Sequence, residues 1–192
     1  MVYVFEGPRN SGKTFLSKYV SAKYNIPRFQ FEFSEYFKRL QIQSQHSKEA
    51  HAFALGKELM LMQIARDLHT GFDDDPKSFI HDRGILSVLS WGLLEGRITE
   101  EDVKSQAAII GDMFLLNNIR IILILGKNPD QSERKKDQWD HFDGGTLEFE
   151  CYVKVVEIME KMGIAKVWWF DNTFDQKSLD NISGLFEHII FE

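Results

Sequence analysis

The stretch VYVFEGPRNSGKTFLSKYV, residues 2 to 20, changes its hydrophobic period in the middle. Val2 to Phe5 form a short continuous apolar run, the mark of a strand buried on both faces. From Lys13 onward the apolar residues Phe15, Leu16, Tyr19 and Val20 recur at helical spacing until Asn25 and Pro27 end the segment. Between the two lies Gly7-Pro8-Arg9-Asn10-Ser11-Gly12-Lys13-Thr14, a loop bounded by glycines. A strand that turns through such a loop into a helix opens a βαβ unit and commits the chain to a parallel sheet.

The loop fits the pattern G-x-x-x-x-G-K-[ST] without a mismatch, and each fixed position has a physical task. Gly7 and Gly12 permit backbone angles that other residues reach only with strain. The amides of Pro8 to Thr14 (proline excepted) then converge on phosphate oxygens, with the positive end of the next helix behind them. Lys13 supplies a point charge to the β and γ phosphates of a nucleoside triphosphate, and the Thr14 hydroxyl is a ligand for Mg²⁺. The expected donor is ATP with Mg²⁺.

The remaining pattern agrees with that start. RFQFEF (28–33) alternates as a second strand, and KSFIHD (77–82) leads out of a polar turn as a third. IRIILIL (119–125) is a β-branched run typical of a covered parallel sheet, and AKVWWF (165–170) is a fifth strand. Helical spacing is expected over about 34–44, 48–69, 85–95, 100–117, 146–162 and 176–188. The implied fold is α/β: three layers, doubly wound around five parallel strands, in one domain spanning residues 1–192.

Composition narrows the functional classes. With 43% apolar residues and only 4 prolines, the 192-residue chain is expected to fold rather than stay disordered. A formal net charge of −6 argues against a broad electrostatic grip on nucleic acid. No apolar run approaches the roughly 20 residues that span a bilayer. The single cysteine, Cys151, fits a reducing compartment, and no secretory pattern opens the sequence, so a soluble, cytoplasmic protein is expected. The 6 histidines show no metal-ligand spacing.

Two further segments carry chemistry. Asp82 and Arg83 close the third strand, in FIHDRG, where open parallel sheets collect ligands. There the aspartate holds Mg²⁺ or accepts a proton from an attacking hydroxyl, and the guanidinium clamps a second phosphate. The competing reading of Asp82 is an N-cap for the helix that begins near Gly84. Residues 127–145 hold Lys127, Arg134, Lys135 and Lys136, and a loop of that length in a compact domain is often an active-site lid. Arg134 is its candidate catalytic cation; the alternative is a solvated face of mixed charge.

With those parts placed, the sequence resembles the thymidylate kinases, within the P-loop nucleoside monophosphate kinase group. FEGPRNSGKT resembles that family's opening loop, AFALGKELM its base-contacting helix, HDRGILSVLSWG its DRY segment, and WDHFDGGTLEFECYVKV the region after its lid. The resemblance implies that Phe53 lies against the acceptor base and that Lys57 stands where the family has a base-contacting arginine. It implies that Asp82 and Arg83 serve Mg²⁺ and the acceptor phosphate, that Ser87 matches the family serine, and that Arg134 closes from the lid. It also implies a small-molecule nucleotide acceptor and a possible homodimer.

The chain departs from the family pattern chiefly on the acceptor side. Arg9 replaces an acidic residue, FQFEFSE replaces an arginine-containing segment, and Gly84, Gly92 and His141 replace a tyrosine, a glutamine and an arginine. Three other readings therefore stand beside a mononucleotide kinase. One is a deoxynucleoside kinase, with Glu32 or Glu35 as the base. The second is a kinase of 5′-hydroxyl polynucleotides, and the third a nucleotide-binding protein without catalysis.

Overall fold

Alternation along the strands decides how the layers assemble. The computed structural model describes residues 1–8, 11–30, 49, 51–56, 78–116, 119–125, 145–164 and 166–191. In it β1 (Val2–Glu6) is buried along its whole length. Val2 and Val4 face one side of the sheet; Tyr3 and Phe5 face the other. The same alternation sends Ile119, Ile121 and Leu123 of β4 (Ile119–Leu125) to the first side, and Ile122 and Ile124 to the second. Two apolar faces need two covering layers, and the chain supplies both.

The first face is covered by α2 (Ile85–Leu94), α3 (Glu100–Leu116) and α4 (Gly145–Lys161). Leu86, Leu89, Val103, Ile110, Tyr152 and Met159 pack there. The second is covered by α1 (Lys13–Tyr24) and α5 (Gln176–Phe191), through Leu16, Val20, Ile182, Phe186 and Ile189. Tyr3 and Phe186 meet with ring centroids 4.6 Å apart and planes tilted by 55°, which adds to the burial of both rings.

The sheet also contains β2 (Arg28–Gln30), β3 (Phe79–Asp82) and β5 (Val167–Asp171), in the order β2-β3-β1-β4-β5. Every pairing is parallel. The chain leaves β1 for the edge, returns through β3, then crosses to β4 and β5 on the other side of β1. Loops at the carboxyl ends of β1 and its neighbours therefore diverge, opening the crevice in which such sheets bind ligands.

The five expected strands and the helices expected from 85 onward are present, each boundary within a few residues. The second strand is described only for Arg28–Gln30 of the expected 28–33. The helix expected over 48–69 is described at residue 49 and at 51–56, helical at both. The helix at 34–44 and residues 127–144 of the lid segment lie outside the described residues. No helix among the described residues is long and apolar enough to cross a membrane.

Candidate active site

The glycine loop leaves β1 under tight backbone constraint. Gly7 has φ +143°, and a Cβ there would lie 2.2 Å from the Ile124 carbonyl oxygen of β4. Gly12 is left-handed, φ +83° and ψ 6°, and stands at the N-cap of α1. A Cβ on it would meet Asn172 Nδ2 at 2.2 Å and the Phe174 ring at 3.1 Å. Only glycine satisfies both positions.

Asn172, just after β5, is the brace against which the loop rests. Its Nδ2 donates to Ser11 O at 2.8 Å, its backbone N–H donates to Leu125 O at 2.8 Å, and its Oδ1 accepts from Phe174 N at 3.0 Å. Through one bond to the loop, one to the end of β4 and one within the turn after β5, a single buried residue ties the loop to the ends of two strands. No side chain caps the start of α1, and no acid stands in its first turn. The helix therefore presents its open amides and the positive end of its dipole to an incoming anion.

Lys13 is buried and donates from Nζ to Pro8 O at 2.9 Å, closing the loop upon itself. Burial pushes its ammonium down to about 7, and Arg83 pushes the same way, against the opposing pull of Glu148, Asp82 and Glu6. Five charged side chains from four elements thus act on one another here. Thr14 is half-buried on the first turn of α1.

Asp82 lies one strand away, paired with Phe5 in the β1–β3 register, and is buried. Its Oδ2 is held by Arg28 Nη2, while Arg28 Nε donates to Ser17 Oγ at 2.8 Å. Its Oδ1 is buried with no hydrogen-bond partner among the described residues. Asp82 does not cap α2: Gly84 is the N-cap, and no side chain caps in the local sense. The cap comes instead from Glu6 at the end of β1, whose Oε1 accepts from Gly84 N at 2.8 Å and Leu86 N at 2.9 Å.

Glu6 is fully buried. Its Oε2 accepts from Ser87 Oγ, which is also 2.8 Å from the hydroxyl of buried Tyr152 on α4. Desolvation pushes the Glu6 carboxyl up to about 7, outweighing the Ser87 and backbone hydrogen bonds and the Lys13 charge that favour ionisation. Burial likewise holds the Tyr152 phenol well above 10. Ser87, which the resemblance sets on the acceptor side, is itself buried inside this network.

Arg83 has φ +70°, uncommon for a residue with a side chain. Its guanidinium lies over the Trp91 ring, 5.5 Å from the centroid, within cation–π range. Trp91 Nε1 donates to Glu148 Oε1 at 3.1 Å. Two departures from the resembled family also find a cause in packing. A Cβ at Gly84 would meet Val4 Cγ1 at 2.8 Å, and one at Gly92 would meet Ile98 Cδ1 at 2.7 Å and His51 Cε1 at 2.9 Å. Val4, Ile98 and His51 occupy the space that larger residues would need.

The structure therefore brings Gly7, Pro8, Ser11, Gly12, Lys13, Thr14, Asp82, Arg83 and Ser87 to one end of the sheet. Phe53 is half-buried on the helical segment 51–56. Arg9, Asn10, Lys57 and Arg134 lie outside the described residues, as do Glu32 and Glu35. Glu6, Arg28, Asn172, Trp91, Glu148 and Tyr152 belong to the site without having been singled out from the sequence. For Glu6 a signal existed: by strand alternation a carboxylate there shares the buried face of Val2 and Val4.

The fold and the loop define a class: a five-stranded parallel sheet with the phosphate-binding loop after β1 is the fold of the P-loop nucleotide kinases. No protein-family model matches the chain, and no curated protein matches its sequence. Solved structures do match. Deoxyadenosine kinase from M. mycoides, with bound dATP, superposes at a TM-score of 0.64, with 14% identity, over 97% of this chain and 100% of that one. Thymidylate kinase from Candida albicans superposes at 0.60, with 18% identity, over 99% and 91%. The YorR protein from Bacillus subtilis, in complex with phosphorylated GDP, superposes at 0.56, with 14% identity, over 100% and 99%.

Proposed function

We propose that this chain is an ATP-dependent phosphotransferase whose acceptor is a (deoxy)nucleoside monophosphate, as in a thymidylate kinase. One observation carries the reading. A loop whose sequence fits the phosphate-binding pattern without a mismatch stands one strand away from a buried carboxylate and a cation, Asp82 and Arg83, at the carboxyl end of a parallel sheet. The loop amides and Lys13 bind the donor's phosphates, and Arg83 grips the acceptor phosphate. An acceptor phosphate oxygen attacks the γ phosphorus; the bond to the β-phosphate oxygen breaks, and ADP leaves with the electron pair. Arg134, from the lid segment, meets the charge that develops on the transferred group.

The residues present fit Mg²⁺. Asp82 offers a buried oxygen without a hydrogen-bond partner among the described residues, and Arg28 fixes the other oxygen so that the carboxylate cannot turn away. Thr14 offers a hydroxyl, and both are the hard oxygen donors that this ion takes. When bound, the ion supplies positive charge among the phosphate oxygens. Lys13 Nζ donates one of its three N–H bonds to Pro8 O, which holds its side chain within the loop, and the other two are left for phosphate oxygens.

A second acceptor class has its own support. The likeness to a deoxyadenosine kinase extends over that whole chain, which favours a nucleoside acceptor with Glu32 or Glu35 as base. ADP release with ATP and Mg²⁺, measured across nucleosides, mononucleotides and a 5′-hydroxyl oligonucleotide, separates the readings. Turnover restricted to mononucleotides is expected. Silence from every acceptor while ATP still binds sinks phosphotransfer altogether and leaves a nucleotide-binding protein.

A further inference from the structure

We propose that Glu6 is the positioning residue of Arg83: its buried carboxyl holds the DRG turn in the one backbone conformation that delivers the guanidinium to the acceptor side. The inference rests on the reading above, in which Arg83 meets the acceptor phosphate. Its starting point is the left-handed backbone of Arg83. Such a conformation is unfavourable for a residue with a Cβ and persists only where the surroundings fix it.

The surroundings fix it from both sides. Before the turn, Arg83 N–H donates to Phe5 O at 3.0 Å. After it, Gly84 N–H and Leu86 N–H converge on Glu6 Oε1 at 2.8 and 2.9 Å. The carboxyl cannot swing away, because its other oxygen accepts from Ser87 Oγ, itself bridged to Tyr152 on α4. The fit is tight: a methyl on Gly84 would stand 3.1 Å from Glu6 Oε1. The guanidinium so delivered lies on Trp91, whose indole is anchored to Glu148 of the same α4.

Glu6 is also the last residue of β1, immediately before Gly7. One carboxyl therefore relates the point where the donor loop begins to the point where the acceptor-side cation stands. A residue in that place sets the spacing between two phosphates without touching either.

Two measurements test this. In the first, the Arg83 Nε–H resonance is followed by NMR in ligand-free protein, where the Trp91 ring current shifts it. Glu6→Ala should move it to the position of a solvent-exposed arginine, and Glu6→Gln, which keeps the acceptor oxygen, should leave it in place. In the second, Glu6→Ala should raise the acceptor KM about tenfold or more while the ATP KM stays within about twofold, and Glu6→Gln should restore most of the loss. Should Glu6→Ala not fold, Gly84→Ala presses on the same contact and should give the same two effects. An Arg83 resonance unmoved in the disrupting variant overturns the proposal, as does an equal rise in both KM values. A wild-type protein that turns over no acceptor defeats the phosphotransfer reading alone, and the resonance then decides this one.

Discussion

Replacing Glu6 by glutamine should abolish a pH dependence of stability that one buried carboxyl imposes. Desolvation raises the Glu6 carboxyl from the usual 4.5 to about 7. Below 4.5 both folded and unfolded chains carry the proton, and the contribution is fully present. Between 4.5 and 7 the unfolded chain releases it while the folded chain keeps it, so stability falls as pH rises through this window. The difference, 7 − 4.5 = 2.5, corresponds to about 3–4 kcal/mol at about 1.4 kcal/mol per unit. With a urea dependence of about 2 kcal/mol per molar, the unfolding midpoint should drop by about 1.5–2 M from the bottom to the top of the window.

Lys13 acts in the opposite sense and in a different window. Its ammonium is lowered from 10.5 to about 7 by burial, so stability rises again with pH between 7 and 10.5, where the unfolded chain holds the extra proton. The combined contribution of these two groups is expected to be smallest near pH 7. Glutamine at position 6 keeps the shape and an accepting oxygen for Gly84 and Leu86 but has no proton to lose. Urea unfolding of wild type and Glu6→Gln at several pH values reads the effect, because titrating groups that do not interact with Glu6 cancel in the difference. A difference between the two proteins that stays constant from pH 4.5 to 7 would refute the reasoning.

Three further outcomes are expected. Lys13→Ala should abolish turnover while leaving the fold intact by circular dichroism, since it removes the charge meant for the transferring group; unchanged turnover contradicts its role. Arg134→Ala should lower kcat more than it raises the acceptor KM, and a pure KM effect demotes it to binding. Asn172→Ala should weaken ATP binding several-fold in calorimetry, because the loop loses its bond through Ser11 O and Phe174 N loses its acceptor, each worth about 1 kcal/mol. An unchanged affinity would mean that the loop holds its shape without the brace.

Local pattern and tertiary arrangement divide this protein between them. The glycine loop was legible because its pattern is local: Gly7 and Gly12 take the positive φ that glycine adopts readily, although the atoms that would meet a Cβ there belong to distant Ile124, Asn172 and Phe174. The strand at 119–125 was legible because burial of Ile121 to Ile124 on both faces writes itself as an apolar run, whereas β5 was legible from its apolar residues although Trp169 on it is exposed. Asp82 and Arg83 were legible as a strand end carrying charge.

What the sequence does not carry is who answers each of those groups. The alternative of Asp82 as a cap was reasonable locally, yet its oxygen goes to Arg28, 54 residues away, and Glu6 caps α2 from 78 residues upstream. Asn172 reaches Ser11 across 161 residues, a contact that exists only because β4 lies between β1 and β5. Sequence determined the pattern of the phosphate cradle, since the positive φ values that call for glycine belong to the loop's own backbone. The order of strands decided its braces and the company of its charges, since hydrogen bonds and Coulomb forces act through space and only the packed sheet sets those distances.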